Sequence, residues 1–270
     1  MDKRPVLFID SGLGGIPYCG DFSKRNPDEE IYYIADRENF PYGPRGKEEL
    51  TLILTELTEK LLKTANPKII VLACNTASVA SLSSLRQSFA HILFVGTVPA
   101  IKPAANACKS GKIGVLGTER TIEDIHSLNI SGLGENHREI FGISAPELVL
   151  FIERRFEEAD VNEKKETVKK YIELFRAEGV DTIVLGCTHF LYLLEEFRRE
   201  AYPSIKIFDS LDGITKRIEF LLDENGFALR AGKDSKKENC ILLTGTQPAD
   251  AAWQNRARKM GFGLKLLNEI

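Results

Sequence analysis

Short runs of consecutive apolar, often β-branched residues alternate along this chain with longer stretches in which leucine and isoleucine recur every three or four positions. The runs at 6–9, 31–35, 68–73, 92–96, 112–116, 182–186, 205–208 and 240–243 read as strands. Several are continuous rather than alternating, as expected of strands covered on both faces of a parallel sheet. The stretch 47–63 sets Leu50, Ile53, Leu54, Leu57 and Leu61 on one helical stripe, and 161–177, 191–200 and 214–222 read the same way. Strand and helix in alternation predict an α/β, doubly wound architecture. The stretch 153–170 is dense in charge, but both signs mix at helical spacing, which reads as a solvated helix face.

The pattern also repeats. Ile70-Val71-Leu72-Ala73-Cys74-Asn75-Thr76 is echoed by Ile183-Val184-Leu185-Gly186-Cys187-Thr188-His189, an offset of 113 residues. A weaker echo pairs Phe8-Ile9-Asp10-Ser11-Gly12 with Val115-Leu116-Gly117-Thr118-Glu119, an offset of 107. The similar offsets predict two similar doubly wound domains with mainly parallel sheets. One is 1–97 plus 211–270 and the other is 98–210, with the crossing at the proline-rich stretch 96–103. In open α/β sheets ligands sit beyond the carboxyl ends of the strands, so the active site is expected in the cleft between the domains.

Composition narrows the class. The 270 residues are 43% hydrophobic and 28% charged, ordinary globular values that exclude a disordered or collagen-like chain. A net charge of -3 argues against nucleic acid as the main partner. No apolar stretch nears the ~20 residues that cross a bilayer, and the run at 6–9 is too short for a signal-peptide core. The expected compartment is the cytoplasm, where five scattered cysteines stay reduced.

Two of those cysteines invite a chemical reading. Cys74 and Cys187 each end a strand, are followed at once by polar residues, and lead into a helical pattern whose N-terminus would stabilise a thiolate. Cys19, Cys108 and Cys240 lack that context and read as packing residues. Asp10-Ser11-Gly12-Leu13-Gly14-Gly15 is a strand-to-helix turn, but Pro17 replaces the last glycine of a dinucleotide fingerprint and a P-loop lysine is missing. Asp10 instead offers a carboxylate suited to an amine or to tuning a nearby base. Phe40-Pro41-Tyr42-Gly43-Pro44 predicts a rigid loop whose backbone N–H groups and Tyr42 hydroxyl hold an anionic group. His189, two residues past Cys187, is a candidate proton partner. The spacing of cysteines and histidines gives no zinc pattern, so no metal is expected.

Four motifs in order, Asp10-Ser11-Gly12-x-Gly14-Gly15, Pro41-Tyr42-Gly43, Ala73-Cys74-Asn75-Thr76-Ala77 and Leu185-Gly186-Cys187-Thr188-His189, resemble the glutamate racemases of the aspartate/glutamate racemase superfamily. The resemblance runs from residue 6 to about 210, with Thr244-Gly245 resembling the family's C-terminal end. It implies an enzyme without cofactor that interconverts L- and D-glutamate, supplies D-glutamate for bacterial peptidoglycan, and is often a homodimer. By position it implies Cys74 and Cys187 as the two proton carriers, assisted by Asp10 and His189, with Glu153 in support. Ser11, Pro41, Tyr42, Gly43, Asn75, Thr76 and Thr188 are then substrate contacts, as are Asp10 and His189 themselves. Departures stand at Ala145, where the family has cysteine, at 98–103, and at Phe190-Leu191.

The chemistry suits that arrangement. Moving a Cα proton from one face to the other calls for one group on each face, one thiolate and one thiol at any moment. Without a cofactor as electron sink, the carbanion needs hydrogen bonds at the α-carboxylate, for which Asn75, Thr76, Thr118 and Thr121 are candidates. A dianionic substrate with one ammonium needs two donor-rich ends and an acidic contact. That places the side-chain carboxylate at Ser11, Tyr42, Gly43 and Thr188, and the ammonium at Asp10. Three other readings compete: the same chemistry on aspartate, a thiol oxidoreductase, and a two-lobed ligand-binding protein. The second would want a C-x-x-C pair, and the third would not need two strand-end thiols.

Overall fold

The structure, a computed structural model, describes residues 2–127, 138–228 and 238–269. The chain divides into two compact units, Met1–Thr97 with Leu211–Ile270, and Val98–Ser210. The first opens with β1 (Val6–Asp10), α1 (Ile16–Arg25), β2 (Ile31–Ala35), α2 (Lys47–Thr64), β3 (Ile69–Leu72), α3 (Asn75–Ser88) and β4 (Leu93–Gly96). The second holds α4 (Ile101–Ala107), β5 (Lys112–Gly117), α5 (Glu119–Ser127), β6 (Glu139–Ser144) and α6 (Pro146–Arg154). It continues with α7 (Val161–Ala177), β7 (Thr182–Leu185), α8 (Leu194–Ala201) and β8 (Lys206–Phe208). The chain then returns to the first unit with α9 (Leu211–Glu224), β9 (Cys240–Leu243), α10 (Ala251–Met260) and β10 (Gly263–Leu266).

Both sheets are parallel throughout. Their orders are β10-β9-β2-β1-β3-β4 and β6-β5-β7-β8. Counted within each unit, the first four strands share one order: second, first, third, fourth. The echoing segments therefore lie at equivalent places in separate sheets, β3 beside β1 and β7 beside β5. Even the last ladder bond repeats: Ala73 N–H donates to Ile9 O at 2.8 Å, and Gly186 N–H donates to Leu116 O at 2.6 Å.

Burial explains the sequence pattern. Every residue of β1, β3, β7 and β9 is buried, as their unbroken apolar runs require. Each valine, leucine, isoleucine or phenylalanine among them contributes about 1.5–3 kcal/mol by leaving water. On α2 the stripe Leu50, Leu54, Leu57 and Leu61 is buried against the first sheet, with Ile53 at its margin. In the second unit, Val168, Tyr171, Ile172 and Phe175 of α7 pack into a core with Ile183, Leu185 and Phe197. The charged stretch 153–170 is not one helix face: it spans the end of α6, a turn, and the start of α7, where Asp160 caps the helix by accepting the Glu163 N–H at 2.8 Å.

Two strands escaped the sequence reading. β6 and β10 are edge strands with half-exposed side chains, so neither shows a continuous apolar run. The helix expected at 191–200 also starts differently. A 3-10 helix, Thr188–Leu193, precedes α8, because His189, Phe190 and Leu193 all turn inward over a short arc. The α-helical N-terminus expected directly after Cys187 is therefore a 3-10 turn.

Candidate functional site

In a parallel sheet all strand C-termini share one edge, and the candidate residues gather there in each unit. In the first unit, β1 ends on Asp10, which is fully buried. Its Oδ1 accepts the Ser11 N–H at 2.6 Å and lies 3.4 Å from the Ser11 hydroxyl. Beside it, β3 runs through Ala73 to Cys74, the residue preceding α3 and partly exposed. Asn75 and Thr76 open that helix and are 3% and 4% exposed. Ser78 holds the turn: its hydroxyl bonds to the Leu72 and Cys74 carbonyls and accepts the Thr97 N–H at 2.9 Å.

The glycine turn after β1 has a packing reason. A Cβ built on Gly15 would lie 2.6 Å from the Ala73 Cβ and 3.0 Å from the Ala73 carbonyl oxygen. Only glycine lets α1 begin this close to the strand end that carries Cys74.

The loop that follows β2 supplies Pro41, exposed, Gly43, half-buried, and Tyr42, buried. Tyr42 N–H points at the Ser11 hydroxyl, 3.4 Å away. The expectation that the Tyr42 hydroxyl holds an anion is corrected here. A phenol has one proton, and Tyr42 donates it to Asp36 Oδ2 at 2.7 Å. Burial first, then the charges of Asp36, Asp10 and Cys74, hold this phenol well above the usual tyrosine range. What the loop can offer a ligand is backbone and ring edge. Asp36 is a residue the sequence reading missed, although its position right after a strand matches that of Asp10.

The second unit repeats the strand-end placement with different support. Cys187 follows β7 and Gly186, and is buried, as are Thr188 and His189. The Cys187 Sγ lies 3.8 Å from His189 Nδ1, and His189 Nε2 meets Glu153 Oε1 at 2.6 Å. Glu153 comes from the last turn of α6. Burial acts to lower the His189 pKa, but the bonds and charges of Cys187 and Glu153 outweigh it and hold the imidazole well above its ordinary 6.5. A thiol, an imidazole and a carboxylate in a row form a proton-carrying chain that ends at sulfur. Thr118, just past β5, and Thr121, in the first turn of α5, bond to each other through their hydroxyls at 2.9 Å, and Thr121 N–H donates to Thr118 Oγ1 at 3.3 Å. One hydroxyl proton of that pair is spent internally, which leaves the other for a ligand.

The remaining thiols stay outside both groups. Cys19 is buried in α1, where burial pushes its thiol far up, and Cys108 and Cys240 are buried as well. All five cysteines are free. Among the described residues, no group of three His, Cys, Asp or Glu side chains could hold a metal ion, and no helix is long and apolar enough to cross a membrane.

Comparison with known proteins bears on what these residues do. The sequence profile of the Asp/Glu/Hydantoin racemases matches residues 22–217. A glutamate racemase of Bartonella henselae is 38% identical over 228 residues, 83% of this chain and 84% of that one. One from Bartonella quintana is 33% identical over 268 residues, 98% of this chain and 97% of its own. Among solved structures, the Escherichia coli glutamate racemase in complex with L-glutamate and the activator UDP-MurNAc-Ala superimposes with a TM-score of 0.83. It is 28% identical and 97% of each chain is covered.

Proposed function

Since the chain belongs to the Asp/Glu/hydantoin racemase family, we propose that it interconverts L- and D-glutamate by passing the Cα proton between two cysteines, without a cofactor. The observation that carries the mechanism is the matched placement of Cys74 and Cys187, each past the third strand of its own unit. One thiolate removes the Cα proton from one face. The electron pair is held as a carbanion next to the α-carboxylate and ammonium. The other thiol then delivers a proton to the opposite face, and the two thiols have exchanged protonation states. Each positioned acid or base contributes about 10²–10⁴-fold. His189 with Glu153 serves Cys187, and Asp10 serves Cys74 and the substrate ammonium. Asn75, Thr76, Thr118 and Thr121 donate to the α-carboxylate, while Ser11, the backbone of Tyr42 and Gly43 beside Pro41, and Thr188 receive the side-chain carboxylate. Buried donors left unpaired cost about 1–3 kcal/mol, so glutamine binds more weakly and alanine fails to anchor.

The same reading makes the protein a cytoplasmic, homodimeric supplier of D-glutamate for peptidoglycan. Rescue of a D-glutamate auxotroph tests the supply of D-glutamate, and light scattering of the purified chain tests the dimer. The chemistry is tested by following D-glutamate by circular dichroism in cofactor-free buffer, beside aspartate, glutamine and alanine. Glutamate turning over fastest supports the reading. Alanine turning over as fast would reject the pocket, and aspartate turning over faster would move the substrate one methylene down.

A further inference from the structure

Thr244-Gly245, at the end of β9, finds no part in the proton transfer, yet its hydroxyl lies at the centre of a buried network. Thr244 Oγ1 donates to Asp36 Oδ1 at 2.8 Å and accepts the Glu38 N–H at 3.1 Å. Its backbone N–H donates to Ala35 O at 3.0 Å. Gly245 turns away at φ +84°, where an added Cβ would also press on Glu38 at 3.0 Å. Asp36 has its other oxygen on the Tyr42 phenol at 2.7 Å and receives the Asn39 amide at 3.0 and 3.2 Å. Arg37 adds bonds to the carbonyls of Gln247 and Pro248. Thr244, Asp36 and Tyr42 are 6%, 2% and 1% exposed, so water cannot replace a lost partner.

We propose that Thr244 is a positioning residue for substrate: through Asp36 it fixes the Tyr42 phenol and with it the backbone wall at Pro41–Gly43. The inference rests on the racemase reading for its substrate, but the relay itself does not depend on which amino acid is bound. A buried carboxylate held by three donor groups on its two oxygens has one orientation. Removing the Thr244 hydroxyl leaves Oδ1 to Asn39 alone and strands the Glu38 N–H, so the carboxylate rotates and the phenol follows. The wall moves and the proton-transfer groups do not, so substrate capture weakens while the chemical step is kept.

The test combines kinetics with a direct view of the phenol. In Thr244→Val, KM for D-glutamate should rise about three- to tenfold with kcat within about twofold, whereas Thr244→Ser keeps wild-type values. Tyr42→Phe should reproduce the Thr244→Val effect, and the double variant should be no worse than either single, because both cut one relay. In nuclear magnetic resonance, the slowly exchanging Tyr42 hydroxyl proton should vanish in Tyr42→Phe, shift in Thr244→Val and stay in Thr244→Ser. An unchanged KM in Thr244→Val, multiplying effects in the double variant, or an unmoved phenol resonance overturns the proposal. If Thr244→Val does not fold, Tyr42→Phe alone decides by the same KM criterion. A wild-type chain that leaves glutamate untouched rejects the functional reading instead, and the phenol resonance still decides the relay.

Discussion

At the scale of single residues, the two thiols differ in their support. Cys187 has an imidazole and a carboxylate behind it, while Cys74 lies near Asp10, Ser11 and Tyr42. The two should therefore be separable. Cys74→Ser and Cys187→Ser should each lower racemisation by at least about 10²-fold, since the cycle needs both faces. Each should still eliminate from one enantiomer of a β-substituted glutamate analogue, and the two variants should prefer opposite enantiomers. Near-normal racemisation in both would mean some other base does the work. The His189–Glu153 pair makes a pH-dependent prediction. The pKa of His189 is raised above 6.5 by folding, so the stability it contributes is complete below 6.5 and is lost as pH rises through the raised value. In urea, Glu153→Gln should be about 1.5–3 kcal/mol less stable than wild type near pH 6, with the gap closing in alkaline buffer. A gap that widens with pH would contradict a charged imidazole.

At the scale of elements, the decisive contact is the start of α1 against the end of β3. Gly15 has an ordinary helical backbone, so its substitution fails through contact with Ala73 and not through strain. Gly15→Ala should lower stability by about 1–3 kcal/mol and reduce turnover by shifting the strand end that carries Cys74. Ala73→Gly removes the tightest contact, the opposing Cβ, while the Ala73 carbonyl and the Tyr33 ring remain, so the double variant should recover part of the loss. Thermal melting and turnover of the two singles and the double would show it, and additive losses would disprove the contact as the cause.

At the scale of the whole molecule, the first unit is assembled from both ends of the chain. Its far edge, opposite the strand C-termini, is closed by a buried ion pair: Lys68 and Glu29 are 1% and 2% exposed and meet at 2.5 Å. Lys68 Nζ also donates to Asp2 O and to Phe227 O, each at 3.0 Å. One ammonium thus joins the N-terminus, the approaches to β2 and β3, and the segment after α9. Lys68→Met should cost about 3–5 kcal/mol, because it leaves a carboxylate buried without its cation. Replacing both, as Lys68→Met with Glu29→Leu, should cost less than the single change in urea unfolding. A double variant worse than the single would show that the pair stabilises beyond the desolvation it requires.

The sequence by itself determined eight of the ten described strands, the six interior ones and the edges β4 and β8, together with the helix stripes and the two strand-end thiols. Each of these is written in local spacing: unbroken apolar runs for strands buried on both faces, a 3.6-residue stripe for helices, and a repeated Cys-polar pair after a strand. The edge strands β6 and β10 were not legible, because a half-exposed strand needs no continuous apolar run. The 3-10 turn after Cys187 was hidden for a related reason, since side-chain burial decides between tight and regular winding there. Only the tertiary structure decided what holds the acceptor of the Tyr42 proton in place. Asp36 and Thr244 are 208 positions apart and become partners through β9 lying beside β2. A hydrogen bond is a property of two atoms about 3 Å apart, and no local spacing records which distant segment will supply the second one.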